Sequence, residues 1–345
     1  MSTAAPAALV LGAALLGALL PWLFMRMLEP ALATASKAAA LNYRGTRVHL
    51  GLGVVWLIWA GAAIVGGIAA AAVSDTSVLR VLTLAGPLAL VAFALGMVDD
   101  AFGTGETRGF RGHLGAMRRA RLTTGGLKLV GIGLACLVAA AIVSQVAPWG
   151  TTRVSDAAQV GVRFALTLVA GAAIALTSNF VNLMDLRPGR ALKTYSLLAL
   201  VGVASTVMAA LYRPTVFGST TGHIAVDGLA LSVFLLGPVA AVWRSDLGER
   251  GMLGDAGANP MGAVAGMFIV LGLPVWGLLV YASLMFVANA ASERVSYSRV
   301  IEANPALRWL DGLGRLGGGE PSQGASTRFE SDSGQSDGDD VASSK

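Results

Sequence analysis

Only one cysteine, Cys136, occurs in the chain, and it lies inside an apolar run. An internal disulfide is therefore excluded, as are CxxC and Cys/His metal clusters. Charge is scarce too: 13% of residues are charged against 55% hydrophobic. A soluble domain of this length could not hide so much apolar surface, so the composition reads as a polytopic membrane protein. The first apolar run lacks a basic leader and a convincing cleavage site, and reads as a retained helix rather than a signal peptide. No internal repeat is visible, which counts against an inverted-repeat transporter. The excess of basic residues would suggest nucleic acid in a soluble protein, but here it has a topological use, and no nucleic-acid partner is expected.

What the chain does have is a series of apolar runs, at about 4–25, 50–73, 78–98, 127–147, 160–183, 191–211 and 225–243. Each is near the ~20 residues needed to cross a bilayer. The last stretch, 260–291, is too long for one span, and Pro274 disfavours helix at Leu273. Dividing it gives spans at 260–272 and 275–291, about nine in all, in an all-α bundle. The basic residues then sort as 21 on the side of the odd loops and tail, against 4 (Arg80, Arg153, Arg163 and Arg213) on the other. By the positive-inside rule the N-terminus is outside and the C-terminus cytoplasmic. The expected organisation is a transmembrane domain over 1–300, a cytoplasmic juxtamembrane segment over 301–316, and a Gly/Ser/Asp-rich disordered tail over 317–345.

Four conspicuous carboxylates fall on the same side. Asp99 and Asp100 end the third span, Asp185 follows the fifth, and Asp255 precedes the eighth within Gly254-Asp255-Ala256-Gly257. Acids at the mouth of a span are costly, so they read as functional by default, although each could simply end or cap a helix. Asn179, Asn182 and Asp185 follow one another at helical i,i+3 spacing and share a face. Hard oxygen ligands among many arginines and lysines suit a Mg²⁺-assisted site for a phosphorylated substrate. Lys128, which opens the fourth span, is either a snorkelling anchor or a phosphate contact. His49 and His113 read as solvated or structural.

These stretches resemble the polyprenyl-phosphate phosphosugar transferases, which include phospho-N-acetylmuramoyl-pentapeptide transferase. Gly96-Met97-Val98-Asp99-Asp100 is similar to the family's G-x-x-D-D. Asn179-Phe180-Val181-Asn182-Leu183-Met184-Asp185 is similar to the start of its N-x-x-N-x-x-D-G-x-D-G, and Gly254-Asp255-Ala256-Gly257 to its G-D-x-G. The first cytoplasmic loop, with Arg44, is similar as well, and the likeness spans roughly residues 40–300. Two departures stand out. Pro188 replaces the second aspartate of the middle motif, and the last cytoplasmic loop carries Arg294 and Arg299 in place of a histidine cluster.

The resemblance implies transfer of a sugar-1-phosphate from a nucleotide diphosphate-sugar to a polyprenyl phosphate, at the cytoplasmic face of the plasma membrane. Asp99, Asp100 and Asp185 would be catalytic. Asp255 and Asp100 would hold Mg²⁺, with Mn²⁺ as the alternative. Asn179, Asn182, Lys128, Arg294, Arg299 and Arg44 would bind substrate, and a homodimer is a further expectation. Rival readings are a transporter and a non-catalytic polyprenyl-phosphate-binding relative.

Overall fold

The computed structural model describes residues 4–35, 39–73, 78–103, 115, 118–119, 122–150, 157–212 and 221–315. The tail expected at 317–345 lies outside them, as does His113. The chain is an all-α polytopic membrane protein. Helix α1 runs Ala4–Ala13, continues through a π-helical turn (Ala14–Leu19) and ends as Leu20–Thr34. There follow α2 (Val55–Val73), α3 (Leu82–Phe102), α4 (Thr124–Val143), α5 (Ala157–Met184) and α6 (Arg190–Tyr212). The last long helices are α7 (Thr221–Leu247), α8 (Gly254–Gly272) and α9 (Val275–Ser292), and two short ones, α10 (Tyr297–Ala303) and α11 (Pro305–Gly312), complete the described chain. Among the described residues, eight helices are long and apolar enough to cross a membrane. The long helix outside that set is α8, which carries Asp255, Asn259 and Pro260 in its first two turns.

Helix α8 is the axle of the bundle. Every residue from Ala256 to Leu271 is buried, and the helix packs on α3, α5 and α6. A helix buried on every side requires its neighbours to come close. Gly262 allows this on one side, where a Cβ would stand on the Thr177 carbonyl of α5. Side chains around it donate to its backbone: Trp149 Nε1, from the turn after α4, to Val270 O at 2.8 Å, Ser205 Oγ of α6 to Ile269 O at 2.9 Å, and Ser178 Oγ of α5 to Asn259 O at 2.8 Å. Such bonds are worth ~0.6 kcal/mol each in a bilayer, so they fix register more than they stabilise. The helix stops at Leu273, which is extended (ψ 143°) before Pro274, the N-cap of α9. That is the break expected from the proline.

The only sheet among the described residues is a hairpin, β1 (Ala39–Leu41) against β2 (Arg47–His49). Its turn is built on Asn42, whose Oδ1 accepts from the backbone of Arg44 and Thr46 at 2.9 Å. The hairpin is joined to the α7–α8 connection, since Met252 N donates to His49 O at 2.8 Å and Leu52 N to Met252 O at 3.2 Å. The first connection of the chain thus braces the approach to α8.

Helices α10 and α11 are pinned to the start of α6. Buried Arg190 forks onto Asp311, Nε to Oδ1 at 2.9 Å and an Nη to Oδ2 at 3.0 Å, and its other Nη reaches Ser298 Oγ at 2.9 Å. Burial pushes the Asp311 carboxyl up, but Arg190, Arg315 and Lys193 outweigh it and hold its pKa below the usual range. With the folded value depressed, this stabilisation is complete above the ordinary carboxylate pKa and is lost as pH falls through the lower, folded one. Asp311→Asn should leave Arg190 without its carboxylate, at a cost of about 3 kcal/mol. The expected result is local: faster hydrogen exchange over 297–312 with the melting of the helical bundle retained. Unchanged exchange would show that the fork does not hold these helices.

Candidate active site at one end of the bundle

The four carboxylates singled out in the sequence meet at one end of the bundle, where α3 finishes, α4 begins, α5 finishes and α8 begins. Asp99 and Asp100 are neighbours on α3, and a helix points adjacent residues ~100° apart. They therefore serve different partners. Asp99 faces α4, where Lys128 Nζ lies 2.8 Å from its Oδ2. The same ammonium pairs with Asp255 Oδ2, so Lys128 is clamped between carboxylates of α3 and α8.

Asp100 faces the N-terminus of α8. Its Oδ1 accepts from Asp255 N at 3.0 Å and its Oδ2 from Ala256 N at 2.9 Å. A helix begins with N–H groups that have no partner of their own, and no side chain at Leu253 caps this one. The cap comes instead from a different helix, and a carboxylate there also suits the helix dipole. The contact demands glycine twice. Gly254 has φ +64° and sits against the Asp100 carboxylate, where a Cβ would come within 2.7 Å. Gly96, one turn before Asp100, lies where a Cβ would stand on the Asp255 carbonyl.

Asp185 closes the group. It accepts from the Gly254 backbone and faces Asp246, Asp255 and Asp100. Part of its surface stays accessible, yet burial first, and then those three acids, raise its pKa well above the ordinary carboxylate value. Asp185 thus holds its proton more tightly than a free carboxylic acid.

The chain matches no protein-family model and no curated protein. The chemistry of the site therefore rests on its geometry.

Among the described residues, no group of three His, Cys, Asp or Glu side chains is disposed to hold a metal ion alone. The donor set still suits a magnesium-like ion, which takes one or two carboxylates and completes its shell with substrate phosphates. Asp99 and Asp255 already share one cation, the Lys128 ammonium. Asp100 accepts one backbone N–H on each oxygen, which leaves lone pairs for a cation, so Asp99 joins Asp255 and Asp100 as a candidate ligand.

The remaining expected residues divide. Asn179 donates to Asn289 Oδ1 of α9 at 2.7 Å, and Asn289 in turn donates to the Leu176 carbonyl of α5 at 3.0 Å. That pair fastens α9 to α5. Asn182, one turn on, is half-buried on the same helix. Arg44 pairs with Glu249 at 3.2 Å and stacks on Tyr43. Arg294 and Arg299 are exposed, and no ion pair joins either to the four carboxylates. Lys128 is neither a free snorkelling anchor nor a free phosphate contact, because both its carboxylates are already in place.

Sequence reading overlooked two acids at the end of α7. Buried Asp246 accepts from Gly189 N at 2.6 Å, and so enters the turn that contains Pro188. Glu249 has φ +54°, an uncommon conformation outside glycine, and binds Asn42, Tyr43 and Arg44 together. The signal available was a cluster of charge, Asp246, Glu249 and Arg250, after an apolar run.

Gly96→Ala should cost about 1–3 kcal/mol, the range for overpacking, because the added methyl meets backbone rather than a movable side chain. Gly61→Ala, with nothing within 4 Å of its Cβ, is the matched control and should be neutral. Thermal unfolding in detergent compares the two, and equal melting would remove the argument for close α3–α8 contact.

Proposed function

We propose that the chain is an integral membrane phosphotransferase that moves a sugar-1-phosphate from a nucleotide diphosphate-sugar onto a polyprenyl phosphate. What most supports this reading is the meeting of Asp99, Lys128, Asp185 and Asp255, from four parts of the chain, at one end of a membrane bundle. A lipid phosphate and a water-soluble donor can both reach such a place. A transporter would want its acids at mid-membrane.

In the reaction an oxygen of the polyprenyl phosphate bonds to the sugar-bearing phosphorus of the donor. The bond from that phosphorus to the bridging oxygen breaks, and the nucleoside monophosphate leaves with the electron pair. Asp99 orients the acceptor phosphate. Lys128, released from its clamp as phosphates enter, offsets their charge. Asp185 and Asn182, on the same face, position the donor, with Asn182 donating a hydrogen bond to it. Arg294 and Arg299 add charge-assisted contacts to the diphosphate, while Arg44, tied to Glu249, shapes the rim. Asp255, with Asp99 or Asp100, would hold Mg²⁺ or Mn²⁺, which would neutralise charge on the donor diphosphate.

The asymmetry of basic residues supports a site on the cytoplasmic face of the plasma membrane. After replacement of Cys136, an impermeant thiol reagent applied to intact cells should label a cysteine at Tyr212, which lies at the far end of α6, and spare one at Glu293. Labelling of the second alone would invert the orientation. The activity itself is tested by incubating purified protein with undecaprenyl or decaprenyl phosphate and a panel of UDP-, CDP- and GDP-sugars. The expected products are a lipid-linked phosphosugar and a nucleoside monophosphate in equal amounts. No product from any donor, with folded protein and Mg²⁺ present, would sink the reading.

A further inference from the structure

A second polar site lies at the same end of the bundle, apart from the four carboxylates. A cavity of about 720 Å³ opens between the last turns of α1, the end of β2 and the last turns of α7. Three arginines line it, Arg26, Arg244 and Arg250, against one carboxylate, Glu29. Glu29 is already engaged: Ser245 Oγ donates to it, and Arg250 Nε lies 3.7 Å away. Arg26 stacks over the Trp22 ring, 5.4 Å from its centroid, and neither Arg26 nor Arg244 forms an ion pair among the described residues. The cavity therefore carries uncompensated positive charge.

His49 gives the independent sign of a ligand. It lines the cavity, is 5% exposed, and neither of its ring nitrogens has a hydrogen-bond partner. Buried polar groups are almost always paired, and an unpaired one needs a reason. Gly251 packs flat against the imidazole, where a Cβ would overlap the ring, so the ring is held in place. Burial lowers its pKa, which leaves a neutral imidazole with one N–H to donate and nothing to receive it.

The walls say what kind of anion fits. Trp22 and Pro30 come from α1 and Ala240 from α7, both helices that cross the membrane. Leu23 and Met27, neighbours on α1, are exposed at 43% and 81%, an apolar surface suited to acyl chains. We propose that this cavity binds the phosphate of an anionic phospholipid, with Arg26, Arg244 and Arg250 around the phosphate, His49 donating to it, and an acyl chain lying along Trp22. The site does not depend on the transferase reading.

The test is native mass spectrometry of the full chain in detergent, offered phosphatidylglycerol, phosphatidylcholine or inorganic phosphate. Wild type should retain phosphatidylglycerol in preference to phosphatidylcholine. A basic residue facing anionic lipid is worth roughly fivefold in affinity, so Arg26→Ala with Arg244→Ala should weaken retention roughly 25-fold. Both arginines are exposed, so the variant should fold. Arg308→Ala, an exposed arginine on α11 outside the cavity, should change nothing. His49→Gln keeps a donor and should hold the lipid better than His49→Leu, each checked for unaltered melting. Equal retention of the two lipids, or no effect of the arginine pair, would overturn the proposal. So would displacement of the lipid by millimolar inorganic phosphate, which would make this a site for a soluble anion.

Discussion

Replacing Lys128 with methionine should cost the protein about 3 kcal/mol and make its stability depend on magnesium. The ammonium sits between Asp99 and Asp255, and all three side chains are no more than 22% exposed. Removing one partner of a buried ion pair leaves the other charge uncompensated, at 3–5 kcal/mol. Here two carboxylates would be left facing each other. A divalent cation that binds only the folded protein restores stability by mass action. Millimolar Mg²⁺ should thus raise the melting temperature of Lys128→Met by more than that of wild type, where the ammonium already fills the place. Adding Asp255→Asn to Lys128→Met should abolish the response. A Lys128→Met protein indifferent to Mg²⁺ would mean that Asp99 and Asp255 do not form a cation site. The measurement needs no substrate, so it stands whether or not the donor has been found.

On the transferase reading, Asp255→Asn should lower turnover by roughly 10³-fold while leaving the protein folded. Metal stabilisation of transition-state charge is worth several kcal/mol, and each 1.36 kcal/mol is tenfold in rate. Folding should survive because the backbone N–H groups of Asp255 and Ala256 keep their bonds to Asp100, and Lys128 keeps Asp99 as a partner. Asp100→Asn should show the reverse emphasis. It loses a charge-assisted cap on α8, so melting should fall along with activity. Full activity in Asp255→Asn, or turnover that survives EDTA, would remove the metal from the mechanism.

The fold was largely legible because its signals are local. A proline announces the end of α8 one residue ahead, and apolar run length announces a span. The site was legible in composition but less so in role. The ~100° separation of Asp99 and Asp100 can be read from adjacency, yet which of them faces α4 depends on how α3 is rotated in the bundle. Asn179 looked like part of a ligand row with Asn182 and Asp185. Its partner is Asn289, 110 positions away, and no spacing rule reaches that far. His49 had two open readings in the sequence, solvated or structural. It is buried because β2 pairs with the segment before α8, a contact between two loops that carry no mutual signal. Asp246 was passed over because an acid at the end of a span has an ordinary explanation until something is seen to donate to it.

The position of α8 also fixes when the site can come into being. The chain is made from its N-terminus, so seven long helices precede the one they surround. Until it arrives, Trp149, Ser178 and Ser205 have none of the carbonyls they serve in the finished bundle. Asp100 likewise waits without the backbone it will cap. The early helices must therefore remain loosely associated, with room at their centre, while synthesis continues. Completion of the bundle and assembly of the four carboxylates are then a single late event.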